Sequence, residues 1–431
     1  MKRADFLKKG RLDAWFPNSY GIYIHVPFCL RRCRYCAFVS SVFPRVPARE
    51  YAEAILAEFE SRRAPYARRR LLTLYFGGGT PSILPDDAIE HIVSSIEASS
   101  GGMPEELTLE ANPEHVDLTR ARRWKNMGVT RISLGIQSFD DEMLAFLGRK
   151  HTAQQAFRAV EILQKAGFDE ISIDLIYGGR PRAERLSLEK ERLELPNPNA
   201  RGVDIDEAAL EHWIKTLETA HALHPAHVSC YELTLESHTP LWTEEKRGRA
   251  VVTDEETSIR MMQVIPEILR MSSYEVSNYC RDDFFSAHNV SCWAGTPYLG
   301  LGPGAHSLEV VDRDVQMGES ASENFVARRR ANTSNVRAYL AQNGFAPPEF
   351  VETLTPQIHL AERLICAART RFLWDPAAMA SSLNADVAPF AEAFARATQK
   401  GWLRQTGALY QTTDDGIRLN NLLAQLLFDA A

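Results

Sequence analysis

The 431-residue sequence contains no run of apolar residues long enough to cross a bilayer. No apolar stretch follows the charged residues after Met1, as it would in a secretory signal peptide. An excess of positive charge is also missing, because the net charge is −7, and this argues against nucleic acid as a partner. Seven cysteines without an export signal indicate a reducing compartment. We therefore expect a cytoplasmic protein without a transmembrane segment.

Strand-length apolar runs alternate with amphipathic helical patterns through the first 250 residues. The six candidate strands are residues 21–26, 72–76, 107–110, 131–137, 170–176 and 227–232. Six β-then-α units predict a parallel sheet wound in one direction, either a barrel or part of one. With 45% hydrophobic and 24% charged residues, the chain has the composition of a globular protein with a large core.

Three cysteines, Cys29, Cys33 and Cys36, are spaced C-x-x-x-C-x-x-C after the first candidate strand. Three thiolates on one short loop can hold a [4Fe–4S] cube by three irons and leave the fourth iron open. A structural zinc site needs four closed ligands, and the next cysteine is Cys230, while His25 precedes the loop on a strand. A disulfide would leave one cysteine over. The spacing therefore favours the cluster.

A glycine strip, Gly77-Gly78-Gly79, directly follows the second candidate strand. Glycine lets a backbone approach a ligand closely and present its N–H and C=O groups. A glycine-rich turn is the alternative interpretation of the strip alone.

Polar residues also stand at the ends of the third, fourth and fifth candidate strands, namely Glu110, Gln137 and Asp174. Active sites of βα barrels gather at the carboxyl ends of the strands, where the cysteine loop and the glycine strip also lie. A buried carboxylate is costly without a partner, so we favour a functional role for Glu110 and Asp174.

The sequence divides into four predicted parts. They are an N-terminal segment (1–19), a core (20–250) with a proline-rich charged insertion at about 180–203, an extension and connector (251–345), and a C-terminal domain (350–431). The extension is predicted to hold a helix at 255–271, a strand at 274–278 and a solvated connector around Arg328–Arg330. In the last part, helical patterns flank a candidate hairpin, an order typical of a winged-helix module. Its charges are mixed, so a basic recognition face for DNA is missing.

Taken together, the cysteine loop and the glycine strip resemble the radical S-adenosylmethionine superfamily. Further motifs are similar to the oxygen-independent coproporphyrinogen oxidase group, and some of these to its HemW haem chaperones. The group motifs are Tyr23-x-His25-x-Pro27-x-Cys29 and residues 110–113, 131–139 and 172–178, and the chaperone-like motifs are residues 231–234, 274–278, 288–289 and 298–307.

This resemblance implies an α/β fold, a partial (β/α)6 TIM-type barrel with a small C-terminal winged-helix-like α+β domain. It implies that Cys29, Cys33 and Cys36 ligate the cluster. It further implies S-adenosylmethionine contacts by Tyr23, Tyr35, Gly78, Gly79, Thr80, Glu110, Gln137, Arg149 and Asp174. By residue type alone, Arg149 would be an ordinary helix-end cation.

Haem or a porphyrin, a recipient haemoprotein and an electron donor are the partners that the resemblance implies. The expected haem ligands are His288 and Cys292, which stands where the chaperone pattern has Tyr; a hydrogen-bonded structural histidine is the alternative for His288. The coproporphyrinogen dehydrogenases carry a further cysteine where this chain has Phe38, which weighs against porphyrinogen decarboxylation.

Two functions from different classes follow. The first is a haem-binding chaperone with a cluster. The second is an enzyme that uses a 5′-deoxyadenosyl radical for porphyrin chemistry or methyl transfer. A plain iron–sulfur electron carrier is disfavoured because it would not need Glu110, Asp174 and the glycine strip.

Overall fold

The structure is a computed structural model that describes residues 10–14, 16, 18–181, 205–248, 250–282, 284–310 and 327–431. Most of the candidate insertion at 180–203 therefore lies outside the described residues. None of the helices in the described part is long and apolar enough to span a membrane.

The strands of the described residues are numbered in chain order. They are β1 (Ser19–Val26), β2 (Phe28–Cys29), β3 (Ser41–Val42), β4 (Arg70–Gly78), β5 (Glu106–Ala111), β6 (Arg131–Gln137), β7 (Glu170–Tyr177), β8 (Gly179–Pro181), β9 (His227–Glu232), β10 (Ala250–Val252), β11 (Ser272–Ser273), β12 (Asn278–Cys280), β13 (Tyr298–Leu301), β14 (His306–Val310), β15 (Ala327–Ala331), β16 (Phe350–Leu354), β17 (Leu403–Thr406) and β18 (Leu409–Thr412).

The helices of the same part are numbered likewise. They are α1 (Ala48–Arg62), α2 (Asp86–Ser100), α3 (Leu118–Asn126), α4 (Asp141–Leu147), α5 (Ala153–Lys165), α6 (Ile205–Ala222), α7 (Pro240–Lys246), α8 (Glu255–Leu269), α9 (Ala287–Trp293), α10 (Val336–Ala341), α11 (Pro356–Ala368), α12 (Pro376–Leu383), α13 (Ala391–Gln399), α14 (Asp414–Arg418) and α15 (Asn420–Phe428).

One large sheet organises the chain, in the order β11-β12-β9-β7-β6-β5-β4-β1-β13-β14-β15-β16. The six predicted strands are confirmed as β1, β4, β5, β6, β7 and β9. They are neighbours in that order and parallel. Because the sheet has two edges, β11 and β16, it is an open sheet, as the prediction of a partial barrel requires.

Helices α1 to α6 occupy the connections between these parallel strands. Their starts follow ordinary capping chemistry: Thr152 and Gln155 form a capping box at α5, for example. Apolar side chains of the strands and of these helices form one continuous core, which includes Ile22, Phe76 and Trp124.

Two predictions for the extension are wrong. The strand predicted at 274–278 is interrupted, because the Glu275 carboxylate accepts hydrogen bonds from Ser277 N and Asn278 Nδ2 and makes a turn there. The solvated connector around Arg328–Arg330 is instead β15, where Arg328 pairs with Glu309 on the neighbouring strand. A run of arginines can enter a sheet when acidic residues face it across the strands.

Strand β13 was not predicted. It lies in the Gly/Pro-rich segment and pairs parallel with β1, on the side away from β4. Its glycines interrupt the apolar pattern by which a strand is predicted. Gly300 is nevertheless required, because a Cβ there would lie 1.8 Å from the carbonyl oxygen of His306.

The C-terminal helices α11 to α15 and the hairpin β17–β18 follow the helix-and-hairpin order predicted for a winged-helix-like module. Their core contains Trp374, which stacks on Tyr410 at a centroid distance of 5.4 Å. The same core includes Phe285 and residues of α9, so this module packs on the segment that enters the barrel.

A buried carboxylate fastens α9 to the sheet. Glu106, the first residue of β5, accepts hydrogen bonds from Ala287 N at 3.0 Å and His288 N at 2.9 Å. It also pairs with buried Arg131, whose guanidinium donates to the carbonyl oxygen of Phe285 at 2.9 Å. The amino end of α9 is thereby held inside the barrel by charge-assisted hydrogen bonds.

We expect Glu106→Gln to lower the free energy of unfolding by about 3 kcal/mol, because it leaves Arg131 buried with less compensation. Urea unfolding followed by circular dichroism measures this. The control is Glu90→Gln, which removes a half-exposed pair with Arg123 and should cost less than about 1 kcal/mol. Equal losses in both variants would show that the buried contacts of Glu106 contribute no more to the free energy of unfolding than a surface ion pair does.

Candidate functional site

A cavity of about 440 Å³ opens at the carboxyl ends of the parallel strands. Nearly all residues predicted for the cluster and for S-adenosylmethionine line it. They are Cys29, Cys33, Tyr35, Cys36, Gly78, Gly79, Thr80, Glu110, Gln137, Arg149 and Asp174. The fold therefore brings together residues that are up to 145 positions apart, counted from Cys29 to Asp174.

The three cysteine side chains are free thiols, partly exposed to this cavity. Thr80 Oγ1 lies 3.6 Å from Cys29 Sγ, and an Arg149 guanidinium nitrogen lies 3.5 Å from Cys33 Sγ. Burial raises the pKa of Cys29 and Cys36. These donors would stabilise thiolates once a metal replaces the protons.

Among the described residues, no group of three or more His, Cys, Asp or Glu side chains is placed to hold one metal ion. Three thiols spread around one cavity, with donors to two of the sulfurs, do fit a multi-atom cluster.

His25 holds the cysteine loop to the sheet. Its Nε2 lies 2.7 Å from the carbonyl oxygen of Val39, which can only accept, so Nε2 carries the proton. Nδ1 then accepts from the Tyr23 hydroxyl at 3.0 Å. Burial lowers the pKa of His25, which keeps the ring neutral and this pattern of hydrogen bonds intact.

The glycine strip packs against the same loop. A Cβ at Gly79 would lie 2.8 Å from the carbonyl oxygen of Phe28 and 3.0 Å from Cys29 Sγ. Gly78 has a φ of +112°, and a Cβ there would lie 2.6 Å from the His25 ring. The strip is therefore more than a turn, and its glycines are required by the cysteine loop before any ligand arrives.

Two carboxyl groups line the inner wall of the cavity. Glu110 accepts from the Tyr75 hydroxyl at 2.8 Å and from Gly78 N at 3.1 Å, and Asp174 accepts from Ser133 Oγ at 3.0 Å. Burial, with a contribution from the charge of Asp174, raises the pKa of Glu110 to about 7. Burial also raises the pKa of Asp174. Each offers acceptor oxygens of the kind that bind ribose hydroxyls.

Arg149 is directed into the cavity, which its residue type alone did not indicate. One guanidinium nitrogen donates to Asn112 Oδ1 at 2.6 Å and to the carbonyl oxygen of Gly135 at 2.7 Å, while another reaches Cys33 Sγ. It connects the cysteine loop to the ends of β5 and β6.

Tyr23 is the one predicted cofactor contact that does not line the cavity. Its ring packs beside Tyr75, with centroids 6.0 Å apart, and a Cβ on Gly77 would lie 2.9 Å from it. Since its hydroxyl is bonded to His25, Tyr23 supports the cysteine loop, and its contact with a bound cofactor stays a prediction.

The predicted haem ligands are not brought to the cavity. His288, only 7% exposed, bonds Thr73 Oγ1 at 2.9 Å and stacks on Tyr75 at 4.7 Å. Thr73 precedes Tyr75 along β4, so His288 lies toward the amino ends of the strands, below the cavity. Burial lowers the pKa of His288 to about 4, so the ring is neutral. This environment is that of a hydrogen-bonded histidine.

Cys292 lies one helical turn further along α9. Burial, with a contribution from the thiol of Cys366, raises the pKa of Cys292 to about 12. Its thiol is therefore protonated, and it lies near Cys366 of α11. Haem ligation by this pair stays a prediction.

Residues that the sequence did not single out as cofactor contacts also line the cavity, among them Phe38, Asn112, Lys150 and Tyr231. Tyr231 stands at the carboxyl end of β9, the position that pointed to Glu110 and Asp174. Its place at a strand end is the sequence signal that identifies it.

Comparisons with known proteins agree with this geometry. The model of the radical SAM superfamily matches residues 23–185. The haem chaperone HemW of Lactococcus lactis is 34% identical over 293 residues, which cover 67% of this chain and 69% of that protein. HemW of Bacillus subtilis is 29% identical over 69% of this chain and 73% of its own length. The chain belongs to the HemW family.

Among solved structures, coproporphyrinogen III oxidase (HemN) from Escherichia coli, a radical SAM enzyme, matches with a TM-score of 0.71. The match covers 99% of this chain and 93% of that chain at 20% identity, so it concerns the fold alone. Membership of the radical SAM superfamily implies a [4Fe–4S] cluster and S-adenosylmethionine, and the thiols and carboxylates around the cavity fit both.

We expect Gly79→Ala to lower the iron content per chain as well as the affinity for S-adenosylmethionine, because the added Cβ would displace Phe28 and Cys29. Iron analysis after anaerobic reconstitution, followed by calorimetry, measures both. Gly101→Asn is the control, since a Cβ there meets nothing within 4 Å and Asn tolerates left-handed backbone. If the iron content stayed complete while the affinity for S-adenosylmethionine fell, the glycine strip would be needed for binding S-adenosylmethionine and not for holding the cysteine loop.

A second prediction concerns pH. The pKa of Glu110 is raised from 4.5 to about 7, so between these values the folded state holds a proton that the unfolded state has released. The free energy of unfolding should fall as pH rises through this window, and Glu110→Gln should remove that contribution. The difference between variant and wild type should thus grow from pH 4.5 to 7 in urea unfolding. A difference that stays constant over this pH range would contradict the assignment.

Proposed function

We propose that this protein binds haem and delivers it to recipient haemoproteins, while its cavity holds a [4Fe–4S] cluster and S-adenosylmethionine. The observation that carries the proposal is the 34% identity to a protein named haem chaperone, over two thirds of both chains. Phe38 supports it, since the dehydrogenases of the resembling group have a cysteine at that position.

In this proposal each cavity residue has a role of its own. Cys29, Cys33 and Cys36 would hold three irons of the cluster, and Arg149 would donate to one of the ligating sulfurs. Glu110 and Asp174 would accept hydrogen bonds from the ribose of S-adenosylmethionine. When bound and reduced by an electron donor, the cluster supplies the electron that can cleave S-adenosylmethionine.

We further propose that the protein acts in the cytoplasm, where its free cysteines would stay reduced. Partners there would be a one-electron donor for the cluster and a haemoprotein that lacks its haem. Delivery needs haem to be held reversibly, which a buried covalent attachment would not allow.

A second candidate is a radical enzyme acting on a porphyrinogen or transferring a methyl group. The observation favouring it is that Glu110, Asp174 and Arg149 line one cavity with the three thiols, which is more than a haem carrier requires. The two candidates differ in whether S-adenosylmethionine is consumed.

The decisive experiment uses anaerobically reconstituted protein with Cys33→Ala as the variant without a complete cluster. Haem binding is followed by its Soret absorption, transfer by the haem acquired by an added apo-haemoprotein, and cleavage by 5′-deoxyadenosine formed with coproporphyrinogen III. We expect haem binding and transfer without substrate-dependent 5′-deoxyadenosine. Porphyrinogen-dependent 5′-deoxyadenosine without haem binding would establish the enzyme instead.

We also propose His288 as an axial haem ligand with Cys292 as a second or substitute ligand. If His288 binds iron, His288→Ala should shift the Soret band, and Cys292→Tyr should give a spectrum typical of imidazole alone. Thr73→Val is the matched control, because it removes the hydrogen bond to His288 and keeps the imidazole. If Thr73→Val reproduces the effect of His288→Ala, the histidine acts through packing and not as a ligand.

A further inference from the structure

Three large side chains remain exposed at the mouth of the cavity. Leu30 is 52% exposed, Phe38 67% and Tyr231 43%, and all three line the cavity. The cysteine loop provides Leu30 and Phe38, while Tyr231 comes from the end of β9 on another part of the wall. Apolar and aromatic surface that remains in water beside a cavity is typical of a place where a ligand is held.

Cations accompany this apolar surface. Arg31, Arg32 and Lys150 line the same cavity and are exposed. Within the part of the chain that the structure describes, none of the three forms an ion pair, so their charges are available to a ligand at the cavity. The protein as a whole carries a net charge of −7, so this group of cations is opposite in sign to the overall charge.

The charges at the mouth are also asymmetric. Glu232 and Glu236 line the cavity on the side of β9, and Arg31 and Arg32 line it on the side of the cysteine loop. A ligand with anionic groups at one edge would therefore be oriented with that edge toward the loop.

The cofactors would take up much of the cavity. At about 440 Å³ the cavity lies near the lower end of the range of roughly 300–1,000 Å³ for small-molecule sites. The cluster and S-adenosylmethionine would occupy its inner wall, along the three thiols, Glu110 and Asp174. A further large planar molecule would then bind at the mouth of the cavity.

We propose that the mouth residues (Leu30, Arg31, Arg32, Phe38, Lys150 and Tyr231) form a docking site for the tetrapyrrole that recognises its ring and its propionates and requires no bond to iron. The ring lies against Phe38 and Tyr231 and beside Leu30. The two propionates pair with Arg31, Arg32 and Lys150. This inference rests on the proposed function, because it takes haem as the ligand, but its docking residues do not include the buried His288.

The probes follow from the recognition chemistry. Metal-free protoporphyrin IX keeps the ring and the propionates and lacks iron, and its dimethyl ester lacks the negative charges as well. Reconstituted protein is titrated anaerobically with haem and with both probes. At the mouth, protoporphyrin IX should bind within about threefold of haem, and the ester about tenfold more weakly than protoporphyrin IX.

Two variants with matched controls test the residues. Phe38→Ala should weaken binding of protoporphyrin IX about threefold to tenfold, whereas Phe428→Ala, with 66% exposure at the far end of α15, should not. The double variant Arg31→Glu with Arg32→Glu should bind the acid as weakly as the ester. Arg396→Glu with Arg404→Glu makes the same charge change in the C-terminal module, on residues that do not line the cavity. Iron content is measured throughout to confirm that the cysteine loop still holds its cluster.

The outcomes separate this inference from the proposed function. Loss of preference for the acid over the ester in the double variant, with the cluster intact, supports the mouth site. Unchanged binding in both mouth variants, or haem binding that requires iron and is lost in His288→Ala, overturns the mouth site and leaves the haem carrier standing. If the wild type binds neither haem nor protoporphyrin IX, the proposed function itself fails.

Discussion

The contact between the glycine strip and the cysteine loop is the constraint on which the site depends. The carbonyl oxygen of Phe28, Cys29 Sγ and the His25 ring all come within 3.0 Å of where a side chain on Gly78 or Gly79 would stand. The cysteine loop can pack this closely on the sheet only because Gly78 and Gly79, at the end of β4, carry no side chain. The three thiols and one side of the cavity mouth take their positions from that contact, because the same loop carries Cys29, Cys33, Cys36, Leu30 and Phe38.

Beneath the cavity, a polar column runs through the barrel. Glu110 bonds the Tyr75 hydroxyl, Tyr75 stacks on His288, and the backbone N–H of His288 donates to Glu106. Each member satisfies a neighbour, as buried polar groups must. The column joins the cofactor end of the barrel to α9, which in turn shares a core with the C-terminal module. A structural change at either end of the column would thus be transmitted to the other end, because these packed side chains have few alternative partners.

The parallel sheet and the position of the site could be predicted from the sequence because they depend on local patterns. Apolar runs alternate with helical periods, and Cys29, the glycine strip, Glu110 and Asp174 each follow a strand. What depends on distant partners could not be predicted. The arginines of β15 enter the sheet only because acidic residues face them from the neighbouring strands and α11.

The side-chain directions of Arg149 and His288 could not be predicted from their residue types. Arg149 resembled a surface cation and is directed at a thiol, because the chain after α4 returns to the ends of β5 and β6. His288 resembled an accessible ligand and lies inside the barrel, because Glu106, remote in sequence, holds the start of α9. In both cases the residue type indicated the chemistry of the side chain. The direction of the side chain was decided by a carboxylate, amide or carbonyl group supplied by another strand.

The two locations for haem make different physical demands on a carrier. Iron ligation at His288 would use Nε2, because Nδ1 is bonded to Thr73 Oγ1, and the buried ring would first have to become accessible to haem. That rearrangement would accompany both binding and release, so both steps would be slowed. Contact at the mouth uses side chains that already face solvent, and it leaves the iron free for ligands from the recipient. A protein that has to give haem away gains from holding it by the ring and the propionates, since the recipient can then form the iron bonds while the carrier still holds the ligand.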